Sequence, residues 1–213
     1  MRSFGARRRP TRLSAGLRQR LDYWQEKLPK LLDPRVAHRV VALNSSDAGR
    51  LPLSDGTRFG SPKLAKTLQD ATELCCFVAT VGRGIETAVN TCMACNRYSD
   101  AFILDTLGSM AVEALIDGYH WDYERKCQEQ GKGVTLRFSP GYCDWDITDQ
   151  THLFSIFKEE HPADVQLTET CLMSPCKSVS GVFGILPVDS GSSLDKYNPC
   201  RACGQPRCRA RRV

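Results

Sequence analysis

Residues 165–186 decide the fold class, and they read VQLTETCLMSPCKSVSGVFGIL. Apolar and polar residues alternate in residues 165–172 and again in residues 178–186, a period of two that is typical of β-strands. Only residues 173–177 separate the two runs, so the pattern predicts an antiparallel β-hairpin. A hairpin breaks the strict alternation of parallel strands and helices. The segment therefore favours an α+β fold over a doubly wound parallel sheet.

The segments that precede this hairpin carry helical and strand patterns in turn. Helices are predicted over residues 14–32, from residue 61, from residue 85, over residues 99–130 and over residues 146–160. Strands are predicted over residues 36–43, 73–81 and 134–139, and a loop over residues 44–60, which are rich in turn formers. The sequence thus predicts one domain over residues 20–188, with helices and a mixed or antiparallel sheet. It is flanked by an arginine-rich flexible leader, residues 1–19, and by a Gly/Ser-rich linker with a Cys- and Arg-rich tail, residues 189–213.

Charge is unevenly distributed along the chain. The formal net charge is +5, but the first 21 residues hold seven arginines and no acidic residue. The rest has 22 basic residues against 24 acidic ones, a net charge of −2, which gives no support to nucleic-acid binding by a basic face. Three interpretations of the leader stay open: a disordered tail, a targeting segment, or residues translated from a start codon that was assigned too far upstream. No run of about 18 apolar residues predicts a membrane span.

The triplet Gly82-Arg83-Gly84 lies between a predicted strand and a predicted helix. This placement is that of a dinucleotide-binding fingerprint, but Thr87 stands where the third glycine belongs. A structural turn is therefore the favoured interpretation.

The stretch RFSPGYCDW, which begins at Arg137, combines groups that suit a nucleoside bearing an amino acid. A guanidinium matches a carboxylate through two parallel hydrogen bonds. The Pro140-Gly141 turn exposes backbone groups that can bind the edge of a purine, and the Tyr142 ring can cover a sulfonium by cation–π attraction. The alternative is a surface turn, in which Arg137 pairs with an acid such as Asp144 as a structural clamp.

Two further acids, Glu113 and Asp117, lie four residues apart on one side of the predicted helix 99–130. One of them could face a cationic ligand. The alternative is that both are simply solvated.

The stretch from Arg137 to Tyr142 resembles the R-x-x-x-G-Y signature of the activation domain of vitamin-B12-dependent methionine synthase. The flanking motifs of that family follow in order: Gln150, Leu153-Phe154, Leu167-Thr168-Glu169, Met173-Ser174-Pro175 and Ser178-Val179-Ser180-Gly181. Upstream, residues 77–82 and 105–117 resemble free-standing bacterial members. The resemblance covers residues 20–186. It departs from the family beyond Gly181, where Ser190-Gly191-Ser192-Ser193 and Tyr197 replace a tyrosine pair.

The resemblance implies binding of S-adenosyl-L-methionine. By position, Arg137 would hold the methionyl carboxylate, Ser139 and Gly141 would offer backbone contacts across Pro140, and Tyr142 would line the pocket. The bound methyl group would reactivate cob(II)alamin, with one electron from a donor such as flavodoxin or ferredoxin. No catalytic residue is expected, because methyl transfer from a sulfonium needs alignment rather than proton transfer.

The resemblance also bears on the partner of the chain. The sequence contains no homocysteine, folate or cobalamin module, so the chain is expected to act in trans on a separate corrinoid-binding protein or methyltransferase, such as methionine synthase. Cobalamin would therefore be carried by that partner.

The eleven cysteines follow no secretory signal, which predicts reduced thiols in the cytoplasm rather than a disulfide framework. Cys200, Cys203 and Cys208 have a spacing that can wrap an iron–sulfur cluster or a zinc ion from a loop, with Cys176 or Cys171 as the fourth ligand. The alternative is a flexible tail of reduced thiols. Two rival functions follow: an iron–sulfur or zinc-containing redox or interaction partner of a corrinoid protein, and a non-catalytic module that caps one.

The metal hypothesis yields a direct test. Replacing Cys200, Cys203 or Cys208 with serine is expected to release the metal together with any cluster absorbance, because three loop thiolates and one further ligand complete the coordination. Metal analysis and absorption spectra of anaerobically purified protein measure both quantities. Metal-free protein from a strictly anaerobic preparation would contradict the hypothesis.

Overall fold

The structure is a computed structural model that describes residues 13–44, 49–158 and 161–188. In chain order its elements are α1 (Ala15–Lys27), a 3-10 turn (Leu28–Lys30), β1 (Arg35–Ala42), β2 (Arg50–Pro52), β3 (Arg58–Gly60), α2 (Pro62–Thr67), β4 (Glu73–Thr80), α3 (Gly84–Ala94), α4 (Tyr98–Gln128), β5 (Gly133–Val134), α5 (Asp149–Ser155), a second 3-10 turn (Pro162–Asp164), β6 (Gln166–Leu167), β7 (Met173–Ser174) and β8 (Ser178–Leu186). The main sheet is antiparallel with the strand order β1-β4-β8-β5, and β2-β3 and β6-β7 form two small ribbons.

The central strands β4 and β8 are apolar because both faces of the sheet are covered. On one face Phe77 belongs to a cluster with Ile116 of α4. On the other face Val78 belongs to a cluster with Trp145 and with Leu153 of α5. The core therefore has two layers, with α4 on one side of the sheet and α2, α5 and the β2-β3 ribbon on the other.

Helix α1 is tied to α4 by a buried carboxylate. Asp100 is 2% exposed and accepts hydrogen bonds from Trp24 Nε1 at 3.1 Å, from Arg20 at 3.0 Å and from Arg97 Nε at 2.8 Å. Burial raises the pKa of the Asp100 carboxyl, but these hydrogen bonds outweigh it and leave the pKa below its usual value. The helix begins at Ala15, inside the segment 1–19 predicted as a leader, and residues 1–12 lie outside the described residues.

The predicted α+β class is confirmed, but the predicted hairpin is wrong. Strand β8 pairs with β4 from Thr80–Ser178 to Glu73–Ile185, and with β5 on its other side. Within residues 165–172 only β6 forms, and it pairs with β7. Periodicity reports which residues are buried and not which strand lies alongside, so it could not show that β8 belongs at the centre of the sheet.

The other sequence predictions are confirmed in part. The helices from residues 14, 61, 85 and 99 and the strands from residues 36 and 73 are present, and the Ser61 hydroxyl caps α2 by accepting from Leu64 N–H. The predicted helix 146–160 shortens to α5, and residues 44–60 contain the β2-β3 ribbon instead of a plain loop. No helix in the described part of the chain combines the length and apolar character needed to cross a membrane.

The Gly82-Arg83-Gly84 triplet is a structural turn, as favoured. Gly82 has a φ of +80°, in the left-handed region that suits glycine. A Cβ on Gly84 would collide with the carbonyl oxygen of Leu31, so the missing side chain lets α3 pack against the chain that follows α1.

A glycine pair tests this packing. Gly84→Ala is expected to lower the free energy of unfolding by about 1–3 kcal/mol, because the methyl group meets backbone that cannot yield easily. Gly118→Ala, in α4 with nothing within 4 Å of the new Cβ, is the matched control and should raise it by up to about 1 kcal/mol through helix propensity. Urea denaturation measures both. A neutral Gly84→Ala variant would show that α3 does not depend on this close approach.

Candidate functional site

The stretch from Arg137 to Trp145 folds as a compact turn. Gly141 has a φ of +87° and its N–H donates to Trp145 O at 2.8 Å. Tyr142 N–H donates to Ser139 O at 3.3 Å, and Trp145 N–H donates to Tyr142 O at 3.1 Å. Pro140 is buried and Tyr142 is 55% exposed. The turn therefore uses the Gly141 N–H internally and leaves the Tyr142 ring exposed to solvent.

A β-bulge precedes the turn. The pairs Gly133–Leu186 and Val134–Ile185 are in one register, whereas Phe138 bridges Val182, one residue out of that register. The extra residue ends β5 early and shortens the predicted strand 134–139. Bulges of this kind redirect side chains.

Phe138 joins the turn to the central strand β8 by two backbone hydrogen bonds. Its N–H donates to Val182 O, and its carbonyl accepts from Val182 N–H, both at 2.8 Å. A Cβ on Gly181 would collide with Phe138 O and would lie 2.9 Å from Ser139 Oγ. The glycine of the Ser178–Gly181 motif is thus required for the turn to lie against β8, which connects two sequence motifs that lie about 40 residues apart.

A buried glutamine links the same strand to α5. Gln150 is 3% exposed; its Nε2 donates to Cys171 O at 3.1 Å and its Oε1 accepts from Ser180 Oγ at 3.1 Å. One side chain therefore joins α5, β8 and the loop between β6 and β7.

Asp144 anchors the far side of the turn and does not pair with Arg137. Its carboxylate accepts from Ser61 Oγ at 2.6 Å and from Lys63 N–H at 3.1 Å, at the start of α2. The Asp144 clamp considered from the sequence is therefore wrong. The next residue, Trp145, is 3% exposed and packs edge-on against Phe59, with ring centroids 5.0 Å apart.

Arg137 instead reaches across to α4. Its side chain is 8% exposed, and Nη2 donates to Oδ1 of Asp117, whose side chain is 69% exposed. The Arg137 guanidinium is therefore nearly buried. Of the two acids considered from the sequence, Asp117 meets the site arginine, and Glu113 lies exposed one turn earlier on α4.

Of the cysteines proposed as metal ligands, only the two alternatives for the fourth ligand, Cys171 and Cys176, lie in the described ranges. Cys171 is buried and Cys176 is exposed, with its N–H donating to Glu86 Oε2 at 3.3 Å. Desolvation, and then the Glu86 carboxylate, raise the pKa of the Cys176 thiol. Residues 13–44, 49–158 and 161–188 contain no group of three potential ligands for one metal ion. Cys200, Cys203 and Cys208 lie outside the described residues.

Sequence reasoning missed a nearly buried lysine beside this region. Lys177 has an 11% exposed side chain, and its Nζ lies 2.6 Å from Asp105 Oδ1 and 3.0 Å from Ser109 Oγ. It clamps the chain before β8 onto α4. No local signal marks it, whereas a glycine inside a strand, such as Gly181, does signal a close backbone approach.

Comparison with known proteins assigns the chain to a family. A family model described as "Vitamin B12 dependent methionine synthase, activation domain" matches residues 63–189. The match covers more than half of the chain, and the chain belongs to this family. A comparison with curated proteins finds no match.

A solved structure shares the fold. The crystal structure of the MetH reactivation domain bound to AdoHcy superposes with a TM-score of 0.60 at 19% sequence identity, over 79% of this chain and 64% of that chain. The chain therefore spans just under two thirds of that protein's length. At this identity the likeness shows a common fold.

The contact between Gly181 and the turn can be tested directly. Gly181→Ala is expected to cost about 1–3 kcal/mol of unfolding free energy, because its Cβ displaces the Phe138 carbonyl. The Phe138 and Val182 amide hydrogens should then exchange faster. Hydrogen exchange by mass spectrometry or NMR measures this, with Gly60→Ala as control, since Gly60 lies in β3 with nothing within 4 Å of a new Cβ. Unchanged protection at both amides would show that the turn does not need the glycine.

Proposed function

We propose that the chain binds S-adenosyl-L-methionine at the Arg137–Tyr142 turn and serves the reductive methylation of cob(II)alamin on a separate corrinoid protein or methionine synthase. The observation that carries the proposal is the nearly buried Arg137 guanidinium beside a rigid Pro-Gly turn. Family membership and a common fold with a domain crystallised with AdoHcy support it.

The residues present fit this ligand. The Arg137 guanidinium can hold the methionyl carboxylate, since a guanidinium carries several N–H donors and this side chain is mostly withdrawn from water. The Ser139 and Gly141 carbonyls, with Pro140 fixing the turn between them, are suited to accept from the amino edge of adenine. The exposed Tyr142 ring can cover the sulfonium by cation–π attraction.

The role of these residues is to bind and orient rather than to exchange protons. S-adenosylmethionine would supply an electrophilic methyl group to cobalamin carried by the partner and would leave as S-adenosylhomocysteine, while an external donor such as flavodoxin or ferredoxin would supply the one electron. Holding the sulfonium in a fixed direction converts an encounter into an aligned transfer, which is where a protein of this kind contributes to the rate. We therefore assign the chain as a methyltransferase component that acts with a corrinoid partner in the cytoplasm.

Arg137→Lys is the decisive substitution. It keeps the charge but loses the paired N–H geometry, so S-adenosylmethionine affinity is expected to fall roughly ten- to a hundredfold, about 1.5–3 kcal/mol. Calorimetry on the purified chain measures the affinity, and competition by S-adenosylhomocysteine shows that the site is the same. Arg125→Lys is the control, because Arg125 is an exposed α4 arginine paired with Asp122.

Stability must be measured on the same variants, since Arg137 is nearly buried. If Arg137 serves only to clamp α4 through Asp117, the melting temperature should fall and binding should be lost only in proportion to unfolding. An unchanged affinity in folded Arg137→Lys protein, or no heat of binding with the unmodified chain, would overturn the proposal.

A further inference from the structure

We propose that the outer face of α4 joins two copies of this chain into a symmetric dimer, in which the two α4 helices cross near Gly118. The surface concerned is the outer row, which consists of the α4 residues that follow one another at intervals of four: Phe102, Thr106, Met110, Ala114 and Gly118. This inference concerns the association of the chain with itself and does not depend on which ligand the candidate site binds.

The outer row is exposed along its whole length and carries no charge. All five of its residues are exposed, with Phe102 at 74% and Met110 at 63%. Trp121, on the turn that follows Gly118, is 62% exposed. The opposite face of α4 packs into the core through residues such as Ile116. Rows of residues four apart form the ridges that interdigitate in the commonest class of helix packing, so this face has the form of a helix-packing surface.

Large and small residues alternate on this face in a pattern that fits a two-fold axis. Met110 and Trp121 are large and exposed, whereas Ala114 between them is small, and a Cβ on Gly118 would meet nothing within 4 Å. A two-fold axis near Gly118 turns residues after it onto residues before it, so Trp121 of one copy lies over Ala114 of the other. Each copy then supplies both a projecting ring and the gap that receives one. Such self-complementarity is what a symmetric pair of identical chains requires.

The charges beside the outer row show the same symmetry. Glu113 lies five residues before Gly118 and Arg125 lies seven residues after it, and both are exposed. Within one helix Glu113 and Arg125 lie about 18 Å apart along the axis, which is too far for an ion pair. The two-fold axis brings Arg125 of one copy close to Glu113 of the other, and the reverse pair forms at the same time. Arg125 also lies over the Trp121 ring, 5.5 Å from its centroid, so it supports the projecting side chain.

The exposed area matches a small dimer interface. At 62% and 63% exposure, Trp121 and Met110 would together withdraw about 250–300 Å² of surface from water in each copy. Two copies supply about half of the ~1,200 Å² at the lower end for a specific interface, and the flanking residues of α4 can supply the remainder. We therefore expect a dissociation constant of about 1–100 µM, because an interface of this size binds weakly.

Sedimentation of the full chain over a concentration series measures the association. The mass is expected to rise from 23.8 kDa toward twice that value as the concentration increases. Trp121→Glu and Met110→Glu should each raise the dissociation constant at least about tenfold, because the dimer would bury a carboxylate against apolar surface. Both positions are exposed, so the variant monomers should keep the circular dichroism spectrum of the unmodified chain.

Leu172→Glu is the matched control. Leu172 is a 61% exposed leucine in the loop between β6 and β7, outside α4. The substitution places the same charge on another exposed apolar residue and should leave the dissociation constant unchanged. An equal loss of association in this variant would indicate non-specific clustering of apolar residues and would overturn the proposal.

A charge exchange tests whether the occupant of this face is a second copy. Glu113→Arg places two positive charges together across the two-fold axis and is expected to weaken the dimer about threefold to tenfold. Adding Arg125→Glu reverses both members of the pair and should recover most of that loss. Because the two residues are too far apart to pair within one helix, the recovery can come only from a contact between copies.

Three further outcomes would contradict the proposal. A mass of 23.8 kDa at every concentration would mean that this face does not bind a second copy and that a different protein, or residues outside the described part of the chain, cover it. Association that survives both Trp121→Glu and Met110→Glu would place the contact elsewhere. Weakening by Glu113→Arg that Arg125→Glu fails to recover would show that the two helices do not cross near Gly118.

Discussion

The pairing of β4 with β8 is the interaction on which the rest of the structure depends. The two strands run antiparallel from Glu73–Ile185 to Thr80–Ser178, and both are buried almost throughout. Because this sheet is apolar on both faces, other elements must cover each face to keep it from water. Helix α4 covers one face, and α2, α5 and the β2-β3 ribbon cover the other. Each part of the candidate site reaches its place through this sheet.

Glycine at two positions of β8 lets neighbouring elements approach the sheet closely. At Gly181 a Cβ would collide with the signature turn, and at Gly184 it would lie 2.7 Å from Ala71 Cβ and from Leu68 Cδ2. Because the turn bonds to β8 through Phe138, the bulge before it fixes where Arg137 emerges. Phe138 packs on the α5 side of the sheet, while Arg137 reaches α4. The site is therefore assembled from both layers of the core.

Two carboxylates on α4, those of Asp100 and Asp117, differ in burial and in their hydrogen-bond partners. Asp100 is buried and accepts hydrogen bonds from three donors, which lower the pKa of its carboxyl. These hydrogen bonds link α1 to α4. Asp117 is exposed and bonded to a nearly buried guanidinium. Asp100 therefore joins two helices inside the core, whereas Asp117 contacts Arg137 at the protein surface.

The sequence by itself determined the element types that depend on local pattern. Helical spacing fixed α1 and α4, Ser61 and Pro62 fixed the start of α2, and the R-x-x-x-G-Y motif with its flanking motifs predicted the family. Only the tertiary structure decided that β8 pairs with β4 rather than with residues 165–172, because periodicity reports burial and carries no information about the partner strand. It also decided that Asp117, twenty residues upstream, and not Asp144, meets Arg137. Whether a turn contacts a helix on one face of a sheet depends on the position of the bulge, on the strand register and on the order of the layers. The spacing of residues along the chain does not determine any of these features.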